Sequence, residues 1–85
     1  MRGVLLPGDR QVRVSEFPDP TPGEGEVVVQ MRAAAVCGSD LHTYRMSAER
    51  RAPGAGMING HEPSGIVVDV GPGVHRIITG TRVSV

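Results

Sequence analysis

Apolar and polar residues alternate along much of this chain. In "QVRVSEF", residues 11–17, Val12 and Val14 are separated by polar neighbours, the period of two that marks a half-buried strand. "EVVVQMRAAAVC", residues 26–37, carries the longest such signal. A strand there places Val27, Val29, Met31, Ala33 and Ala35 on one face, with Gln30 and Arg32 on the other. "SGIVVDV", residues 64–70, and "RVSV", residues 82–85, read as further strands. The connections are turn chemistry. "PDPTPGEG", residues 18–25, has three prolines that fix φ and two glycines that permit positive φ. "GPGVHRIITG" and the loop "SAERRAPGAGMING" are similarly rich in turn formers. "SDLHTYR", residues 39–45, predicts a short helix with Ser39 as its N-cap. The expected fold is mainly β: a partly open barrel or roll with one short helix, in which strands 27–36 and 64–70 are neighbours.

Length sharpens this picture. At 85 residues the chain is one small domain or part of one, and such a chain buries about 60–65% of the surface its unfolded form exposes. Phe17 and Tyr44 are its two aromatic residues, so the core is thin. Formal net charge is zero, which gives no broad attraction to nucleic acid or an anionic membrane. Glu49-Arg50-Arg51 reads as a solvated loop. A lone cysteine has no internal disulfide partner and fits a reducing, cytoplasmic setting. The N-terminal apolar run ends at Pro7, too short for a signal peptide or a membrane span.

That cysteine, Cys37, lies in "AAAVCGSDLH" with Ser39, Asp40 and His42 just after it. It is open to three roles: packing, reactive thiol or metal ligand. His61 and Glu62 follow Gly60. Thiolate sulfur, imidazole nitrogen and carboxylate oxygen are the donors zinc takes. Cys37 and His61 are too far apart in sequence for a compact finger, so a fold must bring two loops together to unite them. Ser39 and His42 add a hydroxyl and an imidazole able to pass a proton. The plainer readings are a cap for Ser39 and a solvated helix position for His42. Nucleotide signals are missing: "GEGEVV" and "GPGVHR" lack the third glycine of G-x-G-x-x-G, and "GAGMING" follows no strand.

"PGEGEVVVQMRAAAVCGSDLHTYR", "GHEPSGIVVDVGPGV" and "GTRVSV" together resemble the N-terminal part of zinc-dependent medium-chain alcohol dehydrogenases, including their polyol and threonine dehydrogenase relatives. The resemblance covers nearly the whole chain. It implies the first part of a GroES-like catalytic domain, residues 1–85, with the Rossmann domain for NAD or NADP lying outside this chain. Carried over by position, Cys37, His61 and Glu62 are implied as zinc ligands, Ser39 and His42 as the proton relay, and Asp40 as the carboxylate that orients His61. The implied reaction is oxidation of a small alcohol or polyol by hydride transfer to NAD or NADP, in a homo-oligomer. The 85-residue chain alone is expected to be inactive. The competing expectation is a free-standing GroES-like module that binds zinc or a partner without catalysis. Two features depart from the family pattern: a downstream metal ligand and a four-cysteine structural zinc lobe do not occur in these residues. Thr81 also stands where relatives usually carry an aspartate, and it is expected to touch only a surface turn.

Overall fold

A computed structural model describes residues 1–51 and 58–85. The elements are β1 (Arg2–Gly8), β2 (Gln11–Glu16), β3 (Val27–Ala34), α1 (Gly38–Arg45), a 3₁₀ turn (Ala48–Arg50), β4 (Pro63–Val70) and β5 (Arg82–Ser84). The chain divides into two compact units, Met1–Pro18 with Val36–His61, and Asp19–Ala35 with Glu62–Val85. Part of the expected 47–60 loop, residues 52–57, lies outside the described residues. No helix among the described residues is long and apolar enough to cross a membrane.

In the first unit, β1 and β2 form an antiparallel hairpin that pairs Val4 with Val14 and Leu5 with Arg13. β2 was expected and β1 was not. The run Val4-Leu5-Leu6 does not alternate, and Pro7 argues against a strand. The register explains the exception: β1 spends one more residue than β2 between Leu5 and Gly8, so Pro7 sits at a bulge. Leu6 is buried there, at 8% exposure. Asp9 and Arg10 make the turn with φ of 52° and 56°, positive at both central residues as a type I′ hairpin requires. Neither is a glycine, so something must hold them. Asp9 N–H donates to Met46 O at 2.8 Å and Arg10 N–H to Tyr44 O at 2.9 Å. The Asp9 carboxylate also accepts the Ala48 N–H at 3.1 Å. The hairpin tip is thereby fastened to the end of α1. Gly8 permits this approach, because a Cβ there would lie 2.7 Å from Met46 O.

In the second unit β3, β4 and β5 form an antiparallel sheet in that order. β3 and β4 are neighbours and the sheet is open, both as expected, with no closed barrel among the described residues. Two register shifts interrupt β3–β4 pairing, one between Val28 and Val29 and one between Met31 and Ala33. They break the alternating face expected of residues 27–35: Val27, Val28 and Val29 are all half-buried, while Met31, Ala33 and Ala35 are exposed. Val67, opposite Val29, is the best-buried apolar residue at 1% exposure. Its N–H donates to Thr81 O at 2.9 Å, and its carbonyl accepts from Gly80 N–H at 2.8 Å. The side chain of Thr81 stays within this exposed turn, as expected. Its hydroxyl donates to Ile78 O at 2.7 Å, closing the bend whose backbone pairs with Val67.

The two G-x-G stretches also find their use here. Gly25 N–H donates to Pro72 O and Gly71 N–H to Glu26 O, both at 2.8 Å. A Cβ on Gly71 would collide with the Gly23 carbonyl. These glycines let two turns lie against each other, which accounts for them without a nucleotide.

Candidate metal centre

α1 begins one residue earlier than expected, at Gly38, with Cys37 as its N-cap in extended conformation. Asp40 then falls at the third helical position, and its Oδ2 accepts the Cys37 N–H at 2.9 Å. An acidic side chain in the first turn satisfies an N–H that the helix leaves open and complements the helix dipole. With that position filled, Ser39 is not the cap. Its carbonyl accepts the Thr43 hydroxyl at 3.2 Å, and its own hydroxyl lies 3.3 Å from His61 Nε2.

His61 reaches this point along the returning segment. Asn59 N–H donates to Val4 O at 2.8 Å, and Gly60 turns the backbone with φ of 107°. Asp40 Oδ1 then lies 3.5 Å from His61 Nδ1. The Cys37 sulfur and a ring nitrogen of His61 are within 4.8 Å of each other. Asp40 is thus shared: one oxygen fixes the backbone of Cys37 and the other faces the imidazole of His61. A carboxylate at Nδ1 favours the proton there and leaves Nε2 its lone pair, the form in which histidine ligates a metal. Cys37 is half-buried and Asp40 is 17% exposed, whereas His61 is 54% exposed. The site is a solvent-accessible edge carrying one sulfur and one nitrogen donor.

The other sequence-assigned residues are placed as follows. Glu62 follows His61 directly and has an exposed side chain. Its carbonyl accepts the Ala35 N–H at 3.1 Å. His42 is exposed and lines a cleft with Arg45, Met46, Ser47 and Arg50. Among the described residues no hydrogen bond joins Ser39 to His42; the Ser39 hydroxyl is at His61 instead. Sequence reasoning missed this cleft, because Arg50 read as part of a solvated loop. It also missed Asp9, whose carboxylate acts across the chain and leaves no local pattern.

The donors fit zinc: a thiolate and an imidazole oriented by a carboxylate are a combination it takes, and a neighbouring carboxylate oxygen can add to them. Comparison with known proteins agrees. The alcohol dehydrogenase GroES-like domain family matches residues 23–85. An uncharacterized zinc-type alcohol dehydrogenase-like protein of Escherichia coli K12, YphC, is 38% identical, over all of this chain and 26% of its own length. A sorbitol dehydrogenase of Halalkalibacterium halodurans is 41% identical, over 91% of this chain and 22% of its own. Among solved structures, a protein described as a short chain alcohol dehydrogenase (rspB) of Escherichia coli CFT073, complexed with NADH, gives a TM-score of 0.82 at 38% identity, covering 100% of this chain and 24% of that one. The chain spans about a quarter of the length of these relatives.

Proposed function

The chain belongs to the alcohol dehydrogenase GroES-like domain family, and from that premise we propose that it is the N-terminal catalytic-domain portion of a zinc-dependent oxidoreductase. The reaction is oxidation of a small alcohol or polyol by hydride transfer to NAD or NADP. The NADH in one structural relative and the sorbitol named for another support this class. Cys37, His61 and Glu62 would hold the zinc, Glu62 joining as the residue next to His61 in the chain. When bound, zinc supplies Lewis-acid chemistry, lowering the pKa of a hydroxyl so that it loses its proton near neutral pH.

The chain's own residues do the rest. Asp40 keeps His61 in the Nδ1–H tautomer and holds the Cys37 backbone in place. Ser39 would accept the substrate proton at Oγ as its own hydroxyl proton passes to His42. His42, three positions along the same helix and on the same face, hands it to solvent. The nicotinamide is held by residues outside this chain. The observation that carries this reading is the double contact of Asp40, which ties the sulfur-bearing and nitrogen-bearing residues to one carboxylate.

The test is made in a protein that joins these residues to a nicotinamide-binding region. Cys37→Ala or His61→Ala should lose zinc and turnover together. Ser39→Ala should keep zinc and slow turnover by about 10²–10⁴-fold, the scale of a general acid–base contribution. Full zinc content in Cys37→Ala would overturn the ligand assignment. Zinc bound without turnover of any alcohol by the unsubstituted protein would favour the non-catalytic binding module.

A further inference from the structure

The cleft bounded by the end of α1 and the 3₁₀ turn is lined by His42, Arg45, Met46, Ser47 and Arg50, with a volume of about 490 Å³. Its chemistry is one-sided. Arg45 and Arg50 carry permanent positive charge, and no carboxylate is among the described residues that line it, the nearby Asp9 carboxylate being taken by the Ala48 N–H. The end of a helix ordinarily disfavours an anion, because its last carbonyls are open acceptors. Here the hairpin turn takes up Tyr44 O and the C-cap carbonyl of Met46. His42 O accepts from Met46 N–H at 3.0 Å, Tyr44 O from Arg10 N–H at 2.9 Å, and Met46 O from Asp9 N–H at 2.8 Å. The strained Asp9–Arg10 turn therefore does two things. It fixes the wall of the cleft, and it takes up two of the acceptors that would oppose a negative ligand.

The geometry points to an anion site in this cleft that takes a phosphate group, gripped by the forked donors of Arg45 and Arg50, with the Ser47 hydroxyl and the His42 imidazole as further polar contacts. Guanidinium pairs suit phosphate because each presents parallel N–H donors to two oxygens. Where the phosphate belongs to a larger molecule, a dinucleotide and a phosphorylated polyol are the two sources to be distinguished. The site stands on the first unit alone and does not depend on the dehydrogenase reading.

The experiment is an NMR titration of the 85-residue chain with inorganic phosphate, run against sodium chloride of matched ionic strength. Phosphate should shift the Arg45 and Arg50 side-chain resonances and the Ser47 amide saturably, while chloride should not. Arg45→Gln and Arg50→Gln should each weaken binding by about tenfold or more, the scale of a charge-assisted hydrogen bond. The amide of Leu6, buried in the same unit, serves as the control that the variants keep their fold. Parallel titrations with NADP and with a sugar-alcohol phosphate identify the source: the one that binds more tightly than inorganic phosphate through the same resonances. Equal affinity of all three assigns recognition to the phosphate alone. Phosphate shifts no larger than those of chloride, or shifts that persist unchanged in Arg45→Gln/Arg50→Gln, would overturn the site.

Discussion

In the sheet of β3, β4 and β5 a backbone ladder and one buried side chain, Val67, hold the structure. In the hairpin and helix that carry Cys37, a ladder and the buried Leu6 are supplemented by carboxylates of Asp9 and Asp40 that accept backbone N–H groups. The difference matters for function. A ladder repeats and tolerates substitution on its exposed face, since its donors and acceptors are main-chain atoms. A region fastened by two carboxylates can place a thiol and an imidazole together, but each fastening rests on one residue. The thiol and the imidazole sit in the second kind of region and the regular packing in the first.

The comparison breaks most visibly where the sheet is made to depend on one atom. Gly71→Ala drives a Cβ into the Gly23 carbonyl. Thermal unfolding should show a loss of about 3 kcal/mol, the upper range for overpacking at a closed contact. Unchanged stability would mean that the two turns are not held together there.

Asp40→Asn tests the other region. Asparagine can still accept the Cys37 N–H, but it presents an amide rather than a carboxylate to His61. Zinc affinity should fall by about 10–100-fold, the usual cost of losing the partner behind a ligating histidine, with the melting of the sheet unaffected. A loss of stability without a loss of zinc affinity would make Asp40 a cap and nothing more.

The smallest effect is expected at Thr81. Thr81→Val removes the hydroxyl that closes the bend at Ile78 and should cost about 1 kcal/mol, as for one hydrogen bond. Zinc binding should not change. A coupled loss of zinc would contradict the division of labour between the two regions.

The two regions also differ in how far the sequence revealed them. β3, β4 and β5 were legible because alternating valines and flanking turns are local signals, and the pairing of β3 with β4 followed from them. Their bulges were not legible: which strand carries the extra residue depends on what lies opposite, and that is set only when the strands pair. β1 was hidden for the same reason, since Pro7 is tolerable only at a bulge that β2 creates. Cys37, His61 and Glu62 could be singled out as metal-site chemistry, and the family resemblance assigned their roles and that of Asp40. The cap could not be read, because Ser39 looks the better N-cap until Asp40 is seen bonding the Cys37 N–H. The arginine cleft was invisible because Arg45 and Arg50 lie on separate elements whose approach is set by the Asp9 turn.

The most direct test of the metal centre is X-ray absorption at the zinc edge on the 85-residue chain loaded with one equivalent of zinc, compared with Cys37→Ser. The unsubstituted chain should show one sulfur at about 2.3 Å and nitrogen or oxygen donors at about 2.0–2.2 Å, and the variant should lose the sulfur shell. A spectrum with nitrogen and oxygen donors alone in both proteins would show that Cys37 does not hold the metal and would contradict the centre described here.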